Sequence, residues 1–258
     1  MNIVLIKMVV TPVLMLAICL AMRRWGSFIG GILSGLPLTS GPIVIFLTIE
    51  QGRHFAAQSA SGALSGLSAV LLTYLFYLVI SRFIPVLFTC LMAIIFFALM
   101  SLLLLMVSSP AIAIIISMAA IMLMVYFTRQ QDASEIKTPK ASVWDIPFRM
   151  LTSTVMLFVI TSSAHILGPQ ISGILAPIPV IAWPLTVFAH VHSGRNAMLA
   201  VMRGNAISAI GVIIFYEIVR VLLPSAGLFS TFALALISAV VVTSLLAGII
   251  HRTTRALA

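Results

Sequence analysis

Hydrophobic stretches long enough to cross a lipid bilayer follow one another through nearly the whole chain, which leaves few folds open. About 20 apolar residues at 1.5 Å each match a hydrocarbon core of about 30 Å, and runs of roughly 18 already mark a candidate membrane helix. Nine such segments stand at 3–22, 27–50, 54–81, 84–106, 109–128, 148–166, 169–192, 196–222 and 227–250. In lipid, every backbone N–H and C=O must find its partner inside the protein, so these segments are expected to be helices. The expected fold is therefore an all-α membrane protein of about nine transmembrane helices. Charge agrees: 7% of residues are charged, against about 25% in a soluble domain.

The net charge of +9 would suit a nucleic-acid binder, but the basic residues stand singly or in pairs between the hydrophobic runs. A basic polar face is missing, and the pattern is that of topology determinants. With the N-terminus outside, the cytoplasmic side receives Arg23, Arg24, Arg82, Arg129, Lys137, Lys140, Arg149, Arg195, Arg252 and Arg255. The outer side receives only Lys7, Arg53 and Arg220. Cationic loops resist translocation, so a periplasmic N-terminus and a cytoplasmic C-terminus are expected, in a bacterial-type inner membrane. Residues 1–22 lack a basic start and a cleavage motif, so they read as part of the fold and not as a signal peptide. Cys19 and Cys90 both fall in hydrophobic segments and form no disulfide or metal pattern.

The chain also aligns with itself. At an offset of 142, Gly31-Ile32-Leu33 meets Gly173-Ile174-Leu175, Pro37 meets Pro179, Pro42 meets Pro184, and Gly52-Arg53 meets Gly194-Arg195. Residues 29–53 show nine identities in twenty-five positions, where roughly two would arise by chance, and self-similarity at a fixed offset marks a repeat. The expected organisation is a first repeat at 1–108 with four spans, an extra span at 109–128, a cytoplasmic polar loop at 129–147, and a second repeat at 148–258. Five spans precede the second copy, so the two copies would cross the membrane in opposite directions. Inverted repeats are a recurring plan among transporters.

Residues 30–46, GGILSGLPLTSGPIVIF, and 172–188, SGILAPIPVIAWPLTVF, each carry two prolines five apart inside a hydrophobic segment. Proline removes a backbone donor and clashes with the preceding turn. Paired interruptions near Pro37 and Pro179 are thus expected, and exposed backbone at membrane depth is tolerated where it is buried or lines a cavity. Helices restarting beyond the breaks would aim free N–H groups inward and favour an anion. Pro37, Thr39, Ser40, Pro179 and Trp183 are therefore the candidate substrate-binding residues. Arg203, eight residues beyond Arg195, joins them as a charge inside a span. Glu50 and His190 are candidates for carrying a coupling proton. Glu217 and Arg220 are placed to pair locally, and the small-residue stretch 56–69 reads as a close-packing helix. Nucleotide-binding loops, metal clusters and catalytic triads are missing from the sequence, so no enzyme, cofactor or metal is expected.

The stretch 168–222 resembles the small GlpM-like inner-membrane proteins. The resemblance rests on ISGILAPIP at 171–179, Phe188-Ala189-His190, and IIFYEIVRVL at 213–222. It implies a four-span membrane unit, of which this chain would be a duplicated and fused version with one added span. The arginines are spaced differently here, so no role carries over to Arg195 or Arg203.

The functional expectation is a secondary transporter or exporter of a small anionic or zwitterionic solute. Its partners would be membrane lipid and the solute, with a homodimer open and nucleic acid excluded. The alternative is a flippase of lipid or envelope precursors, or a membrane subunit of an envelope complex.

Overall fold

The computed structural model describes residues 29–37, 40–106, 109–128, 145–178 and 182–256, with scattered positions between 9 and 24. Among them every regular element is helical. They are α1 (Ser40–Gln51), α2 (Arg53–Ile80), α3 (Val86–Met106), α4 (Pro110–Phe127), α5 (Asp145–Leu175), α6 (Ala182–Leu222) and α7 (Leu228–Ala256). A further helical stretch, 29–35, leads towards α1. Six helices among the described residues are long and apolar enough to cross a membrane. The fold fits a multi-pass α-helical membrane protein.

The expectation of nine spans is not met. Most of 3–22 lies outside the described residues, as does most of the polar loop 129–147. The segment 148–166 is the first part of α5, and 169–192 is not one helix: it ends at Leu175 and restarts at Ala182. Beyond Ala182 the chain forms two helices that meet at a kink at Gly194, so the segment expected at 196–222 stands as the helix 195–222 within α6. Gly194, with φ 81° and ψ −176°, interrupts the helix and redirects the chain between the two. Gly52 does the same between α1 and α2, with φ 90° and ψ 167°. This backbone region is essentially closed to residues carrying a Cβ.

The core is an antiparallel pair formed by α2 and the 195–222 part of α6. At one end, the Arg195 guanidinium donates to the Leu78 carbonyl at 2.9 Å and the Ser81 hydroxyl at 3.1 Å. At the other end, Arg53 donates to the Ala226 carbonyl at 3.3 Å. The span windows of α2 and α6 are 72% and 83% buried, whereas those of α3, α4 and α7 are 17%, 28% and 22% buried. The outer helices expose Leu87, Ile94 and Leu102 on α3 and Phe229, Ile237 and Leu245 on α7. Such a continuous apolar exterior suits lipid and would be insoluble in water.

Glycine makes the central crossings possible. A Cβ on Gly62 would collide with the Gln170 carbonyl, and one on Gly66 with that of Ile174. The same holds for Gly31 against the Val201 carbonyl and Gly173 against that of Ser59. Without a hydrophobic drive between helices in lipid, such close backbone approach supplies the packing. On another face of α2, the Ser68 hydroxyl donates to the Ala113 carbonyl at 2.7 Å and lies 2.9 Å from the Ser117 hydroxyl, fixing α4.

Element starts recur at one spacing. Arg53 and Arg195 follow the two glycine turns, and Val86 and Leu228 open α3 and α7. Each pair is separated by 142 residues (195 − 53 and 228 − 86).

Candidate functional site

The helix 29–35 ends where the Leu36 N–H reaches the Ile32 carbonyl at 3.2 Å, and Pro37 follows, buried. Thr39 lies outside the described residues. Ser40 opens α1 and is 5% exposed. The Gly41 N–H donates to the Pro37 carbonyl at 2.8 Å, and Pro42 has no N–H. At this break the Gly41 amide is thus taken up by local bonding. Ser40 comes near the Tyr216 hydroxyl without a direct hydrogen bond, and Gly41 lies against Phe215.

The second break follows Leu175. The Ala176 N–H closes on the Ser172 carbonyl at 3.1 Å and the Ile178 N–H on that of Leu175 at 3.1 Å. Pro179 lies outside the described residues. Beyond it, Trp183 packs against two tyrosines of α2, with ring centroids 5.5 Å from Tyr74 and 5.2 Å from Tyr77. Tyr74 is buried and its hydroxyl accepts from the Asn205 amide at 3.2 Å, with Thr186 close by. The Tyr77 hydroxyl lies 3.1 Å from Nδ1 of His190, and Cys90 is its neighbour. Trp183 and His190 thus share one aromatic and polar cluster, held by α2 and α6.

The other candidates stand elsewhere. Ser40 faces the Tyr216 side of α6 while Trp183 faces the Tyr74 side of α2. Glu50 is half-buried just before Gly52, at the Arg53 end of the bundle, and His190 sits near the opposite end of α2. The 24 residues from Arg53 to Tyr77 (77 − 53) span about 36 Å of helix, so the two proton candidates do not meet. Arg203 is half-buried two residues before Asn205. That spacing is roughly 200° around a helix, so it faces different neighbours from the Tyr74–Asn205 bond. Glu217 and Arg220 do form the expected local pair, at 2.7 Å.

Tyr74, Tyr77, Thr186 and Asn205 are the cluster members that sequence reasoning did not single out. Asn205 offered a signal, as an amide inside a hydrophobic run, because such groups bond across helices in membranes. Tyr77 offered none, since its importance comes from facing His190, 113 residues away.

A cavity of about 610 Å³ opens at the Arg53 end of the bundle. Gln58 and Ser61 of α2 line it, together with Pro110 at the start of α4 and residues 167–171 of α5. Within α5, Gly168 adopts φ 73° and ψ 173°, and this kink turns the chain around the cavity. Among the described residues, no three His, Cys, Asp or Glu gather where they could hold a metal ion. No family model, curated protein or solved structure matches this chain.

Proposed function

We propose that the protein is a secondary transporter or exporter of a small anionic or zwitterionic solute, working by alternating access of two inverted repeats. One observation carries the proposal: contacts recur in exchanged form. Gly31 packs on Val201; adding 142 to the first and subtracting it from the second gives Gly173 on Ser59, which also pack. Likewise Gly35 meets Ser208, and Gly66 meets Pro177. A contact between i and j that reappears between i + 142 and j − 142 is what a two-fold relation between two units produces. The matched helices α2 and 195–222 run antiparallel, which supports an axis in the membrane plane. That symmetry suits a protein that opens to either side in turn.

In this reading the interrupted segments around Pro37 and Pro179 surround the pathway. Thr39, Ser40 and Trp183 line it, Arg203 meets the negative group of the solute, and His190 with Tyr77 handles a coupling proton. The GlpM-like resemblance of 168–222 accords with one such unit per half. The N-terminus faces the periplasm and the C-terminus the cytoplasm of a bacterial inner membrane.

The test is flux in proteoliposomes under imposed proton and sodium gradients, with small organic anions, amino acids and amines as the panel. A solute-specific signal is expected, and it should vanish when Pro37 and Pro179 are both changed to alanine. Folded protein that moves nothing across the panel would remove the transporter reading.

A further inference from the structure

The cavity at the Gly168 kink is not explained by packing. The crossing beside it is closed to backbone contact, at Gly62 on Gln170 and at Gly173 on Ser59, yet a cavity of about 610 Å³ stays open next to it. Its polar wall is made of neutral groups: the amides of Gln58 and Gln170 and the hydroxyl of Ser61. None of its lining residues carries a charge. Gln58 and Gln170 are exposed and Ser61 is half-exposed, so these groups are open to a ligand. An amide both donates and accepts, and a hydroxyl does so too. Such a wall suits hydroxyls, amides or a zwitterion whose charges cancel, and offers nothing to neutralise a net anion or cation.

The same face of the repeat looks different on the other half. At the offset of 142, Ser61 corresponds to Arg203 and Gln58 to Ala200. The half-buried Arg203 therefore stands at the position that would line the equivalent opening at the opposite end.

We infer that the Gly168 cavity, walled by Gln58, Ser61 and Gln170, is the vestibule through which the solute enters from one face, and that it admits small neutral or zwitterionic hydrogen-bonding molecules. The inference rests on the transporter reading and narrows its substrate class from anions towards amino-acid-like or polyol-like solutes.

The experiment measures access and protection, not flux. In full-length protein with Cys19→Ser and Cys90→Ser, Ser61→Cys is exposed to membrane-impermeant methanethiosulfonates, one cationic and one anionic, in vesicles of defined orientation. Ala60→Cys, a fully buried neighbour, is the control. The expected result is labelling of Ser61→Cys from one face only, by both reagents, many-fold faster than Ala60→Cys. Labelling should slow in the presence of L-glutamine, L-serine or glycerol and stay unchanged with citrate or putrescine. Labelling from neither face or from both would overturn the inference, as would protection by only citrate or putrescine, or by none of the five. Gln58→Cys repeats the measurement if Ser61→Cys does not fold. A chain that is labelled and protected but moves no solute would keep the vestibule and remove the transporter.

Discussion

Asn205 makes the most specific polar contact of the core, and its strength can be measured. The bond from its amide to Tyr74 is buried. In membrane proteins such bonds average about 0.6 kcal/mol and stay below ~1.7 kcal/mol, because the unfolded chain in lipid also finds partners. A double-mutant cycle of Tyr74→Phe and Asn205→Ala, read by unfolding in detergent, should give a coupling energy in that range; a value near zero would show that the two side chains act independently. Arg203 tests the proposed function instead. If it meets an anionic group through a charge-assisted hydrogen bond, Arg203→Ala should cost about 1.5–3 kcal/mol of binding, a rise in half-saturation of roughly tenfold to a hundredfold. Unchanged flux would take the residue out of the pathway. Gly194 offers a third reading at this scale. A Cβ there meets open space, so only its φ of 81° makes alanine costly. Gly194→Ala should lose about 1–3 kcal/mol, whereas Gly248→Ala, in open space within α7, should gain up to ~1 kcal/mol. Thermal unfolding of the two variants checks both signs.

Between elements, the decisive contacts are backbone against backbone. Gly62→Ala and Gly173→Ala would each push a methyl group into a facing carbonyl, at a cost of about 1–3 kcal/mol by overpacking. Both should lower the unfolding temperature of purified protein, and a variant as stable as the parent would mean the crossing can relax. Much of this level was legible in the sequence. The spans expected at 54–81, 84–106 and 109–128 appear as Arg53–Ile80, Val86–Met106 and Pro110–Phe127, because charges, prolines and glycines bracket them. The small residues of α2 announced a close crossing and make one. The prolines announced the interruption of 169–192 between Leu175 and Ala182; what hydropathy could not show is the sharp backbone turn at Gly194. Composition records how apolar a stretch is; it does not record a single backbone rotation or a missing turn. The Tyr77–His190 pairing was hidden for a related reason, since it depends on α2 and α6 running antiparallel.

For the molecule as a whole, the antiparallel core makes a prediction about sidedness. His54 and Asn196 are exposed beside the two matched glycine turns, at opposite ends of the bundle. Cysteines placed at these positions should react with an impermeant thiol reagent from opposite faces, with His54→Cys reactive from the periplasm if the N-terminus lies outside. Reaction of both from one face would break the inverted arrangement. The offset of 142 and its prolines were readable without a structure; the exchanged contacts that give it geometric meaning were not. The aromatic cluster then adds something that duplication alone would not create. Two identical halves trading conformations would pass between states of equal free energy, with no preferred side. Here the positions matching Asn205, His190 and Tyr77 are Ala63, Thr48 and Val219, so the Tyr74–Asn205 and Tyr77–His190 bonds exist in one arrangement and have no counterpart in the other. In the proposed alternating-access cycle, at about 0.6 kcal/mol each, the two bonds would bias the equilibrium by roughly eightfold. In that proposed cycle, a few side chains that differ between the halves would give the protein a resting side, and a solute arriving from that side would find the door already open.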